Sequence, residues 1–124
     1  SPFQVTDETK AMVTNNICYL LNNFLKCSAY ESIIFCWVMH EQSIIDSILE
    51  KLDTQNCEVK CVSLIADENT LRERLSADVE KGIRSEDVIE RSIARIPMYQ
   101  ALGTIKIDTK GKAVAVIANE IKRL

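Results

Sequence analysis

From Asp7 to about Leu25 the apolar positions Val13, Ile17, Leu20, Leu21 and Phe24 recur at helical spacing. Thr6 stands at the N-cap, and Asp7 and Glu8 follow where their charge suits the positive end of the helix dipole. Thr14, Asn15, Asn22, Asn23 and Lys26 form the opposite, water-facing stripe. The pattern then changes. Ser32 to Met39, Ser-Ile-Ile-Phe-Cys-Trp-Val-Met, is continuous, apolar and rich in β-branched and aromatic residues, which predicts a strand buried on both faces.

His40-Glu41-Gln42-Ser43 opens a second helix whose core stripe is Ile44, Ile45, Ile48, Leu49 and Leu52. After a polar turn at 53–56, Val59 to Ile65 predicts a second strand ending at Ala66-Asp67, where Asp67-Glu68-Asn69-Thr70 reads equally well as a helix start. A third helix carries Leu71, Leu75 and Val79, with Gly82 as its terminator. Ser85-Glu86-Asp87 starts a fourth, with Val88, Ile89, Ile93 and Ile96 facing in and Pro97 kinking its last turn. Thr104 to Ile107 predicts a short third strand ending at Asp108, and Ala113 to Leu124 a final helix, although its Ala-Val-Ala-Val-Ile run also fits a strand. Strands alternating with helices imply a parallel sheet in a layered α/β fold, and no linker or repeat divides residues 1–124, so one domain is expected.

Composition narrows the function. With 124 residues, 47% apolar and 27% charged, the chain is long enough to bury a core and ordinary for a soluble globular protein. A formal net charge of −3 argues against a nucleic-acid binder. The longest apolar run, Ile33 to Met39, is too short to span a bilayer, and Ser-Pro-Phe-Gln has no signal-peptide character, so neither a membrane partner nor secretion is expected. Five cysteines at irregular spacing, Cys18, Cys27, Cys36, Cys57 and Cys61, fit buried free thiols in a reducing cytoplasm better than a disulfide framework or a zinc site.

Three stretches stand in a telling order: Leu71-Arg72-Glu73-Arg74-Leu75, then Gly82-Ile83-Arg84-Ser85-Glu86-Asp87, then Arg95-Ile96-Pro97-Met98-Tyr99. Together with Ile105-Lys106-Ile107-Asp108-Thr109 they resemble the lid region and last strand of P-loop small-molecule kinases, the nucleoside-monophosphate and shikimate kinase group. The Trp37-Val38-Met39-His40-Glu41-Gln42 and Asn22-Asn23-Phe24-Leu25 stretches also make the whole chain resemble AAA-type ATPase or shikimate-kinase-like proteins. The lid, about 76–90, departs from that pattern by an extra residue between Gly82 and Arg84 and by Glu86-Asp87 in place of Asp-Asp.

The resemblance implies a nucleotide-binding phosphotransferase or ATPase that uses ATP and Mg²⁺ with an unidentified small-molecule acceptor. Arg84, Arg91 and Arg95 would meet the transferred phosphate as catalytic residues, because the planar guanidinium makes paired contacts with phosphate oxygens. Arg74 would line the nucleotide phosphates, and Asp108-Thr109-Lys110-Gly111-Lys112 would flank the adenine, mostly through backbone groups. His40 and Glu41, just past a strand end, would contact the acceptor, one of them as a base. Solvated ion pairing with nearby glutamates is the ordinary alternative for the arginines, and a helix cap for His40-Glu41.

These residues lack a phosphate loop. The only Gly-Lys pair, Gly111-Lys112, is followed by Ala113, and no glycine precedes it at the required spacing. The resemblance therefore implies the C-terminal part of a kinase-like domain, three of five strands, with a βαβ unit of roughly 30 residues or more missing. Such a chain is expected to be inactive alone, to bind no cofactor tightly and to re-pair its bare strand edges as a homodimer or by strand exchange. A non-catalytic oligomerisation module is the competing expectation.

Overall fold

The computed structural model describes residues 3–124 and separates into two compact units, one up to Val59 and the other Lys60–Leu124. In the first unit α1 (Asp7–Lys26) begins at Thr6, whose hydroxyl accepts from the Thr9 amide at 3.1 Å while Thr9 Oγ1 accepts from the Thr6 amide at 2.8 Å. This reciprocal cap satisfies two amides that the first turn leaves open. α2 (Gln42–Leu49) packs its Ile44 and Ile48 against Ile17, Cys18, Leu21 and Phe24 of α1. Asn22 is not merely solvated: its side chain donates to the Lys51 carbonyl and accepts from the Asp53 amide, both at 2.9 Å, tying α1 to the end of α2. Leu20, expected in the core, is exposed.

The segment Ser32–Met39 differs from expectation. It is not a strand: it joins no sheet, and only one side of it is covered. Ile33, Phe35 and Met39 pack on the core of α1 and α2, whereas Ile34 is 92% and Val38 56% exposed. A strand requires a neighbour to accept its backbone hydrogen bonds, and the described residues of this unit form no other strand. The apolar pattern is therefore present without its partner.

In the second unit β1 (Val62–Ile65) and β2 (Ile105–Asp108) make a parallel two-stranded sheet, so two strands form among the described residues where three were expected. The register pairs Val62 with Ile105 through Ile65 with Asp108, and the Ile105 and Thr109 amides extend it to the Cys61 and Ile65 carbonyls, each at 2.9 Å. β1 starts later than the Val59 expected because β2 is too short to pair with residues before Cys61. Between the strands run α3 (Glu68–Glu80), α4 (Val88–Ala94) and α5 (Ile96–Ala101). Gly82 ends α3 at φ +72°, with its amide on the Val79 carbonyl and the Ile83 amide on the Asp78 carbonyl. That pair of bonds is the glycine-terminated helix end expected from the sequence. Pro97 sits in the first turn of α5 and starts a new helix instead of kinking α4, because its missing N–H costs nothing there. α6 (Val114–Lys122) resolves the last segment as a helix. Leu75, Val88, Leu102 and Ile107 are the buried apolar residues of this unit.

Only Cys18 of the five cysteines is buried, its thiol directed at the Ile48 carbonyl at 3.8 Å. Cys27, Cys36 and Cys57 are exposed and Cys61 is half-buried, which corrects the expectation of buried thiols: they lie in loops and in the uncovered segment, outside the cores. No helix among the described residues is long and apolar enough to cross a membrane.

Candidate functional site

Parallel strands place their C-terminal ends side by side, and in α/β proteins those ends carry ligand sites. Here β1 runs into Ala66-Asp67 and β2 into Thr109-Lys110. Thr109, only 6% exposed, joins the two: both its amide and its hydroxyl donate to the Ile65 carbonyl at 2.9 Å. Arg74 comes over from α3. Its Nη1 donates to Thr109 Oγ1 at 2.8 Å and its Nη2 to the Thr109 carbonyl at 2.7 Å. Two bonds from one planar fork fix both position and tilt of the guanidinium.

Asp67 has two roles. Its Oδ1 accepts from the Thr70 amide at 2.7 Å as the N-cap of α3, and its Oδ2 pairs with Lys110 Nζ at 3.0 Å. The hydrogen bonds from Thr70 and then Lys110 hold its carboxyl down at about 2, and the same pairing raises Lys110. Asp108 Oδ1 accepts from the Lys110 amide at 2.9 Å and shapes the loop, which turns at Gly111 with φ +66°. Thr70, Glu73, Arg74, Ala77, Lys110 and Gly111 line an open cleft of about 510 Å³. Ala77 and Gly111 are small, so the wall beside the fixed guanidinium is low. A Cβ on Gly111 would meet no atom within 4 Å, so backbone conformation and not crowding calls for glycine there.

The four residues Arg74, Asp108, Thr109 and Lys110 thus converge. Arg84, Arg91 and Arg95 do not form one cluster. Arg84 Nε pairs with Asp78 Oδ2 at 3.2 Å and Arg91 Nη1 with Asp87 Oδ2 at 3.4 Å, both on the exposed surface. Arg95, at the junction of α4 and α5, has no side-chain partner among the described residues. Arg72, not singled out beforehand, bridges Glu68 at 3.1 Å and Glu90 at 2.7 Å and fastens α3 to α4.

In the first unit His40 Nε2 lies 3.4 Å from Glu41 Oε1, while His40 Nδ1 is shielded from water without a partner among the described residues. Glu41 precedes α2 at the N-cap but makes no side-chain cap bond, so the helix-cap alternative fails for it. Thr70, Glu73 and Ala77 complete the cleft and were not among the candidates, and Asp67 supports it through Lys110. Asp67 was legible as a strand end and a helix start, but its pairing with Lys110 depends on the strand register. Among the described residues no three His, Cys, Asp or Glu side chains gather as metal ligands.

A family model described as an AAA domain matches residues 1–94. No curated protein and no solved structure matches the chain.

Proposed function

The chain belongs to the AAA-domain family, which is P-loop NTPase-like and nucleotide-binding, and we propose that it is the C-terminal part of an ATP-dependent, kinase-like phosphotransferase or ATPase. The observation that carries this reading is the fixed Arg74 guanidinium beside Thr109, Lys110 and Gly111 at the ends of two parallel strands. A guanidinium held flat beside small residues suits the face of a planar ring. The two bonds to Thr109 hold the guanidinium at the strand ends, so Arg74 is assigned to the base of the nucleotide.

The residues present fit that end of the nucleotide only. They include no Gly-rich loop with a following Ser or Thr, so ATP phosphates and Mg²⁺ require a phosphate loop from an upstream segment. What this chain adds on the phosphate side is arginine. Arg95, without a side-chain partner among the described residues, can meet an anion, and the exposed pairs of Arg84 and Arg91 are screened by water, so a phosphate can displace their carboxylates. The acceptor side falls to His40, whose unpartnered Nδ1 is a buried polar group able to bond a hydroxyl, with Glu41 against its other nitrogen. The setting is cytoplasmic.

The test is calorimetric titration with MgATP of this chain and of a version extended upstream through its native reading frame. Binding by the extended form alone is the expected result. A folded extended form that carries a phosphate loop and still binds no nucleotide overturns the reading.

A further inference from the structure

The charged side chains that line the cleft at the strand ends are Glu73, Arg74 and Lys110. Arg74 is engaged by Thr109, and Lys110 by Asp67. The Glu73 carboxylate makes no hydrogen bond or ion pair among the described residues. Its placement follows from α3. Thr70, Glu73, Arg74 and Ala77 stand at i, i+3, i+4 and i+7, which is one face of a helix, and that face meets the Lys110-Gly111 loop in the cleft. An unpaired acceptor therefore stands beside a guanidinium whose tilt is fixed.

These charges restrict what can enter. An anionic group would meet the Glu73 carboxylate, and a cationic group would meet the Arg74 guanidinium. A neutral ring escapes both repulsions. The polar atoms on its edge are then sorted by what each lining group offers. A carboxylate has lone pairs and no proton, so it bonds donors alone, whereas the Thr70 hydroxyl can rotate to give or accept and sorts nothing. On adenine the polar ring nitrogens accept, and the exocyclic amine is the group that donates.

We propose that Glu73 is a specificity-determining residue for the base: its carboxylate accepts a hydrogen bond from the exocyclic amine of an adenine that lies against Arg74. The inference rests on the nucleotide reading above. It adds, to the backbone groups of the loop at 108–112, a side chain on α3 that reads the edge of the ring. The cleft is open to water, which keeps a charge-assisted bond of this kind to about a tenfold difference in affinity.

The upstream-extended protein is titrated by calorimetry with MgADP and with the magnesium complex of purine riboside diphosphate, the same ligand without the amine. The parent is expected to bind ADP about tenfold more tightly than the analogue. Glu73 is exposed, so its substitution leaves the fold intact by circular dichroism. Glu73→Ala is expected to bring the two ligands within about twofold of each other by weakening ADP alone, because a coupling between residue and ligand group vanishes when either is removed. Glu73→Gln keeps a neutral acceptor oxygen and is expected to restore a preference of about threefold.

A glutamate that merely supported α3 would weaken both ligands alike. Equal affinity of the parent for both, a preference that survives Glu73→Ala, or equal weakening of both ligands overturns the assignment and leaves the nucleotide reading in place. Tighter binding of MgGDP than of MgADP also overturns it, because a carboxylate can instead take the paired N1–H and N2–H donors of guanine. A folded extended protein that carries a phosphate loop and binds none of these ligands overturns the nucleotide reading itself, and the assignment with it.

Discussion

Single residues carry the joint between the two strands. Thr109 accepts from Arg74 and donates to Ile65 with one hydroxyl. Thr109→Val keeps the shape and removes both bonds, so the unfolding free energy from urea titration is expected to fall by about 1–2 kcal/mol. Asp67 makes a pH prediction. Its folded carboxyl lies at about 2 against an ordinary 3.8, first because of Thr70 and then because of Lys110. A depressed folded value means the ionised form stabilises the fold. That contribution is complete above about pH 4 and is lost as pH falls toward 2. In acid titrations followed by circular dichroism, Asp67→Asn is expected to show a shallower loss of stability across that window than the parent protein. Equal slopes would show that Asp67 does not couple to folding.

At the scale of elements, ends and clips matter more than propensity. Gly82 at φ +72° has open space around it, so Gly82→Ala meets no clash and costs only backbone strain, about 1–2 kcal/mol by thermal or urea unfolding. Asn22 holds the end of α2 through two hydrogen bonds, and Asn22→Ala is expected to cost a similar amount in the same assay. Elements whose partners lie nearby in sequence were legible beforehand: the Thr6 cap, the Asp67 start and Gly82 end of α3, and β2 beside its loop. The pattern of Ser32–Met39 was legible too, but a strand exists only with a neighbour, and no local pattern states whether the neighbour is present. Pro97 was misjudged for a related reason. The same residue that breaks a helix interior opens a new one when the chain turns just before it.

On the scale of the whole molecule, the apolar surface follows the same logic. Leu64 and Ile105 stay exposed although Ile107 on the same face of the two-stranded sheet is buried, and α6 buries none of its residues. Parallel sheets are ordinarily covered on both faces. A partly uncovered sheet face of this kind is what a kinase-like sheet would leave without its central strand, which agrees with the proposal that the phosphate loop and its strand come from upstream. The candidate site was legible in part. Arg74, Asp108, Thr109 and Lys110 were singled out from the order of motifs, and they lie together in the structure. Their hydrogen bonds, and the roles of Asp67 and Glu73, arise from the register of two strands far apart in sequence.

The central claim is that the strand ends of Lys60–Leu124 hold the base of a nucleotide. Backbone amide shifts by NMR on the upstream-extended protein, titrated with MgADP, test it most directly. Perturbations concentrated at residues 70–77 and 109–111 are predicted, weakened when Arg74 is changed to Ala. Tight binding with those amides unmoved would contradict the claim.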